Sequence, residues 1–127
     1  PGQGRINCMI MNIKAGGVFL VDFKGEGHVM RGQHPAVVIS CDKANLSSPN
    51  VIVSPLTSSI RKVYQPTHVV LDAAENGLRR KSMALCETPM TVPKTALQFY
   101  CTHLPEQAMK EIETAQRAVF FSTDDAA

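Results

Sequence analysis

The apolar positions of this chain fall into short runs separated by turn residues, a pattern that predicts many brief strands and one long helix. Val18–Phe23 alternates weakly between Gly16-Gly17 and Gly25 and reads as a strand. Lys24–Gln33 carries three glycines and reads as a loop. Pro35–Cys41 is a continuous β-branched run of the kind a buried strand shows. Asp42–Asn50 has turn chemistry throughout, with Asn45, Ser47-Ser48 and Pro49-Asn50. Val51–Leu56, Thr67–Leu71, Ser82–Glu87 and Gln98–Thr102 read as further strands. Ser58–Pro66 is a basic loop, Asp72–Lys81 a polar connection, and Lys94–Leu97 a helical turn opened by Pro93.

The last element is the clearest. Pro105 suits the first helical position, Glu106 lies in the first turn, and Glu106 and Lys110 are spaced to pair. Ala108, Met109, Ile112, Ala115 and Val119 share one stripe, which gives an amphipathic helix of about four turns. Short strands with one terminal helix predict a mainly β fold with helices, a small, strongly curved sheet or barrel. One domain over 11–121 is expected, preceded by an unpatterned leader, 1–10, and followed by a frayed tail, 122–127.

Composition narrows the class. With 127 residues, 44% hydrophobic and 19% charged, the chain can bury a core and fold without staples. A net charge of +2 excludes a polycation, so any nucleic-acid contact must come from local basic clusters. Cys8, Cys41, Cys86 and Cys101 form no C-x-x-C pair and read as small, reduced, buried hydrophobes. No apolar run is long enough for a membrane span, and no secretory signal opens the chain, so a cytoplasmic protein without a membrane role is expected.

Several chemistries lack their motifs. His28, His34, His68 and His103 have no ligand-spaced partners, so no metal and no cofactor is expected. Neither a phosphate-binding G-x-x-x-x-G-K-[ST] loop nor a G-x-S-x-G elbow is present. What remains is a set of polar residues at strand ends. His34 precedes the buried run, Thr57-Ser58 closes Val51–Leu56, and Glu87-Thr88 closes Ser82–Glu87. Arg31, Arg61, Lys62, Arg79, Arg80 and Lys81 stand in connections from which they could meet phosphates.

These same residues carry a resemblance. Gly17–Phe23, Gly32-x-His34-Pro35-Ala36-Val37-Val38-Ile39-Ser40, Asn45 with Ser48-Pro49, Val51–Ser58, Pro66-Thr67-His68-Val69, Gly77-Leu78 and Ser82–Glu87 follow one another as the blocks of the MazF/PemK/Kid toxins do. The chain resembles that family from Met11 to about Val119, closest to the branch found in Gram-positive bacteria. The resemblance implies an SH3-like barrel of the MazF/PemK/CcdB type, a homodimer, and metal-independent, sequence-selective cleavage of single-stranded mRNA. It also implies a cognate antitoxin whose disordered segment folds into the RNA groove, and DNA binding as the toxin–antitoxin complex.

RNA brings its own nucleophile, the 2′-OH, so such an enzyme needs only a proton acceptor, a proton donor and donors for the phosphorane charge. The resemblance points to His34, Thr57 and Glu87 as catalytic residues, and to His28, Arg31, Ser58, Arg61, Lys62, Thr88 and Thr91 as RNA contacts. His34 stands where the family has an arginine: an imidazole can exchange protons near neutrality but cannot clamp a phosphate with two donors. The family's E-Q-x-R-T run is Glu87-Thr88-Pro89-Met90-Thr91 here, without the glutamine and arginine. His68, in the approach to a strand, reads as structural. Two alternatives stay open: a catalytically weakened relative acting mainly through its antitoxin, and a CcdB-like toxin that binds a protein target.

Overall fold

A computed structural model describes residues 4–5, 12–25, 31–60 and 65–121. In chain order the elements are β1 (Gly4–Arg5), β2 (Gly17–Lys24), β3 (Arg31–Val38), α1 (Asp42–Ser47), β4 (Asn50–Thr57), β5 (His68–Leu71), α2 (Ala73–Asn76), β6 (Ser82–Leu85), β7 (Met90–Pro93), a 3₁₀ turn (Lys94–Ala96), β8 (Leu97–His103) and α3 (Glu106–Phe120). The strands form one antiparallel sheet in the order β1-β8-β2-β3-β4-β6-β5, with β7 on a second stretch of β4. Gly4–Arg5 pairs with Tyr100 and Phe99 on β8. The leader at 1–3 and 6–10 and the tail 122–127 lie outside the described residues.

β4 organises the sheet. Its first half, Asn50–Val53, pairs with β7, its middle, Val53–Pro55, with β3, and its end, Leu56–Thr57, with β6. One strand thus serves three partners, which curls the sheet and gives it two cores. Alternation decides which side chain enters which. Phe19, Val21, Phe23, Ala36, Val38, Val51, Val53 and Val92 fill the inside of the curl. Val37, Leu56, Val69, Leu71, Ala84 and Cys86 fill the other side, beneath Ala108, Ile112 and Ala115 of α3. Burying Ile112 and Leu104 there contributes about 1.5–3 kcal/mol apiece.

The mainly β architecture with a C-terminal amphipathic helix follows the sequence reading, and Glu106 and Lys110 do pair, at 3.4 Å. Five details differ. The third strand runs Arg31–Val38 rather than Pro35–Cys41, because Asp42–Ser47 is a helix. Asn45, rather than marking a turn, is buried beneath that helix and donates to the Ser40 carbonyl at 2.8 Å. Cys41 is therefore exposed, not a core residue. Ser82–Leu85 ends two residues early, in a turn through Cys86 and Glu87. Finally, β7 had no periodicity to announce it: four residues ending in proline become a strand because Asn50–Val53 offers a free edge.

Candidate active site

His34 and Thr57 lie on adjacent strands. β3 and β4 pair Ala36 with Pro55, Val37 with Ser54 and Val38 with Val53. The ladder stops there, and His34 and Thr57 each lie two residues beyond its last pair, on neighbouring strands. Both have the right parity for the same face: His34 continues Ala36 and Val38, and Thr57 continues Val51 and Val53. Neither is sealed in, each being half-buried.

Local contacts fix both groups. The Nε2 of His34 lies 2.9 Å from the Arg31 carbonyl. A carbonyl only accepts, so Nε2 is the donor here, and in the neutral ring Nδ1 is the acceptor. The ring also rests beside Phe23, centroids 6.3 Å apart. The hydroxyl oxygen of Thr57 accepts from the Ser59 N–H at 3.1 Å, which orients the group and leaves its own O–H free to donate.

Glu87 belongs to a second place on the same face. Thr57 pairs with Met83 on β6, and Met83 with Val70 on β5, so Thr57, Met83, Leu85, Val70 and His68 share one side of the sheet. Glu87 leaves the end of β6 on that side and its Oε2 meets His68 Nε2 at 2.5 Å. The pair is only part-buried, His68 at 14% and Glu87 at 36% side-chain exposure. The turn carrying Glu87 is tied down by Cys86 N–H donating to Thr67 O at 3.0 Å and Thr88 Oγ1 donating to Leu85 O at 3.1 Å.

His34 and Thr57 sit on neighbouring strands, while Glu87 pairs with His68. The β6 strand that leads into Glu87 is separated from β3 by β4, two inter-strand spacings of about 4.8 Å each, or roughly 10 Å across a flat sheet. Curvature shortens that span, but the Glu87 carboxylate is drawn toward β5, away from His34. Of the expected RNA contacts, Arg31, Ser58 and Thr88 are exposed near these strand ends. Thr91 pairs with Ile52, out of phase with the inward-facing Val51 and Val53. It lines a cleft of about 380 Å³ between β7 and the end of β2, whose wall includes Phe23. His28, Arg61 and Lys62 lie outside the described residues. The feature that sequence reading passed over is His68. Pairing Thr67–Leu71 with Ser82–Glu87 as a hairpin would have set it beside Glu87, but nothing in the sequence fixed that register.

Among the described residues no group of three or more His, Cys, Asp or Glu side chains is arranged to hold a metal, and no helix is long and apolar enough to cross a membrane.

An open, curled β-sheet backed by one helix is the frame of a known class of toxins. Residues 14–120 match the family of PemK-like, MazF-like toxins of type II toxin–antitoxin systems, and the chain belongs to that family. It is 36% identical over 106 residues to the endoribonuclease EndoA of Bacillus subtilis, covering 83% of this chain and 91% of that one. Its fold matches a MazF crystal structure from Deinococcus radiodurans with a TM-score of 0.73 at 21% identity, over 86% of this chain and 96% of that one. It also matches a mycobacterial endoribonuclease solved with its cognate antitoxin, with a TM-score of 0.70 at 22% identity, over 84% and 93% of the two chains.

Proposed function

We propose that this chain is the toxin of a type II toxin–antitoxin pair, a cytoplasmic endoribonuclease that cuts single-stranded mRNA by 2′-OH attack and so stops translation and growth. Its partners in this reading are a second copy of itself, the RNA and a cognate antitoxin that covers the RNA-binding face. The family assignment supports the class. The observation that supports the chemistry is the pairing of β3 with β4, which leaves half-buried His34 and Thr57 two residues beyond its last pair on neighbouring strands.

In this mechanism Nδ1 of His34 takes the 2′-OH proton, because Nε2 is committed to the Arg31 carbonyl. The 2′-oxygen bonds to the adjacent phosphorus as the P–O5′ bond breaks, and the departing 5′-oxygen takes a proton from water, to which His34 afterwards returns the one it accepted. Thr57 Oγ1, held from behind by the Ser59 N–H, donates a hydrogen bond to a non-bridging oxygen as charge builds there. The products are a 2′,3′-cyclic phosphate and a 5′-hydroxyl. DNA, lacking the 2′-OH, is spared.

The test is incubation of the purified protein with a long single-stranded RNA in EDTA, followed by end analysis. Discrete cuts with cyclic-phosphate and 5′-hydroxyl ends are expected. Antitoxin binding without any cutting would reject the enzyme in favour of a weakened, antitoxin-binding relative.

A further inference from the structure

The His68–Glu87 pair lies on the face of Thr57 but away from the phosphate that His34 and Thr57 would hold. Its makeup is unusual for a polyanion-binding surface. A carboxylate repels phosphates, so one retained there needs a partner other than the backbone. Only Oε2 of Glu87 is engaged, by His68, and among the described residues Oε1 has no partner. The surface between this pair and Thr57 is apolar, formed by half-buried Leu85 and by Val70, which is 49% exposed, over buried Met83. A flat apolar patch bounded by an oriented acceptor suits the face and edge of one unstacked base.

We infer that His68 and Glu87 form a base-reading pair that selects a nucleotide neighbouring the scissile phosphate, a base bearing an exocyclic amino group. The inference rests on the nuclease reading above. The base lies on Val70 and Leu85, and its amino group donates to Glu87 Oε1. A carboxylate accepts and cannot donate, so it complements the amino edge of adenine, cytosine or guanine. Uracil presents two carbonyl oxygens flanking its single N–H, and the carboxylate repels them. His68 is the positioning residue: it holds one carboxylate oxygen so that the other points along the face.

The experiment is cleavage of a randomised RNA pool with sequencing of all cut ends, for the wild type, Glu87→Gln, His68→Leu and His68→Gln, alongside size-exclusion chromatography of each. The wild type should show depletion of uracil at one position beside the cut. Glu87→Gln replaces an acceptor with an amide that can both donate and accept, matching uracil. Cutting at the original sites should fall about 10- to 100-fold, in line with the worth of one good base contact, while sites with uracil at that one position appear. His68→Leu should flatten selectivity at the same position to within about 3-fold. His68→Gln, which keeps an N–H near the Nε2 position, should restore most of it.

A uniform loss of cutting by Glu87→Gln with an unchanged profile would overturn the inference and return Glu87 to the chemistry. An unchanged profile at unchanged rate would overturn it as well. Conversion of His68→Leu to a smaller species would overturn it in favour of a contact between copies of the chain. A wild type that cuts no RNA would reject the nuclease reading itself, and this inference with it, before any variant is compared.

Discussion

Gln116 of α3 ties the back of the active strand to the turn that carries Glu87. Its Nε2 donates to Ser54 Oγ at 3.1 Å and to the Cys86 carbonyl at 3.1 Å. Ser54 is fully buried on β4, three residues before Thr57, and Cys86 directly precedes Glu87. The helix therefore holds both parts of the candidate site through one amide. Gln116→Leu keeps the volume and leaves the Ser54 hydroxyl and the Cys86 carbonyl without their donor. A loss of about 1–3 kcal/mol in urea unfolding is expected, because the groups stay buried and unsatisfied. Adding Ser54→Ala should recover part of that loss, whereas a fully additive double variant would argue against the shared bond.

Removing the proton acceptor should cost more than removing the hydroxyl donor. His34→Ala should lower kcat by about 100- to 10,000-fold, the usual range for a lost general base. Thr57→Val is close in shape and removes only the O–H, and should lower kcat by about 100- to 1,000-fold with KM little changed. Circular dichroism of both variants should match the wild type, since neither side chain belongs to a core cluster.

Cys86 gives the fold an alkaline limit. Burial pushes its thiol from the ordinary 9.0 up to about 11, against a smaller downward pull from the Gln116 hydrogen bond, with a further upward push from Glu87. The native state keeps a proton that the unfolded chain releases above 9.0, so this stabilisation is complete below pH 9 and is lost as pH rises towards 11. Unfolding measured from pH 8 to 11 should show up to about 3 kcal/mol more loss in the wild type than in Cys86→Ala. With a thiol reagent at neutral pH, exposed Cys41 should react in the native protein and Cys86 only after unfolding.

Gly77 ends α2 at φ 68°, and a Cβ there would stand 2.7 Å from Thr102 Oγ1. Gly77→Ala should destabilise by about 1–2 kcal/mol from the left-handed backbone alone. Gly77→Ala combined with Thr102→Ala should relieve the clash and keep the backbone cost. A return to wild-type stability in that pair would show that the φ angle is unstrained.

Much of the architecture was legible in the chain itself. β-branched runs bounded by glycine and turn residues marked β2, β4, β5 and β8, and the stripe from Ala108 to Val119 marked α3, because these patterns bury one face whatever they pack against. The failures share a cause. Asp42–Ser47 looked like a turn because Asn and Ser favour local backbone bonds. It became a helix because buried Asn45 is held by Ser40, whose hydroxyl in turn accepts from the Ile52 N–H, and because Ala15 N–H donates to Asp42 at 2.8 Å. Met90–Pro93 carried no alternation and became a strand only because an edge of β4 stood open beside it.

The sequence by itself determined the element types, the amphipathic helix, the family blocks and the identities of His34, Thr57 and Glu87, since these depend on residue type and near-neighbour spacing. Only the tertiary structure decided which of them meet. Strand register is a long-range property set when whole faces are buried together, and a shift of one residue would send every side chain to the opposite side. That register puts His34 and Thr57 on neighbouring strands and leaves Glu87 with His68, a relationship between positions 19 residues apart that no local pattern encodes.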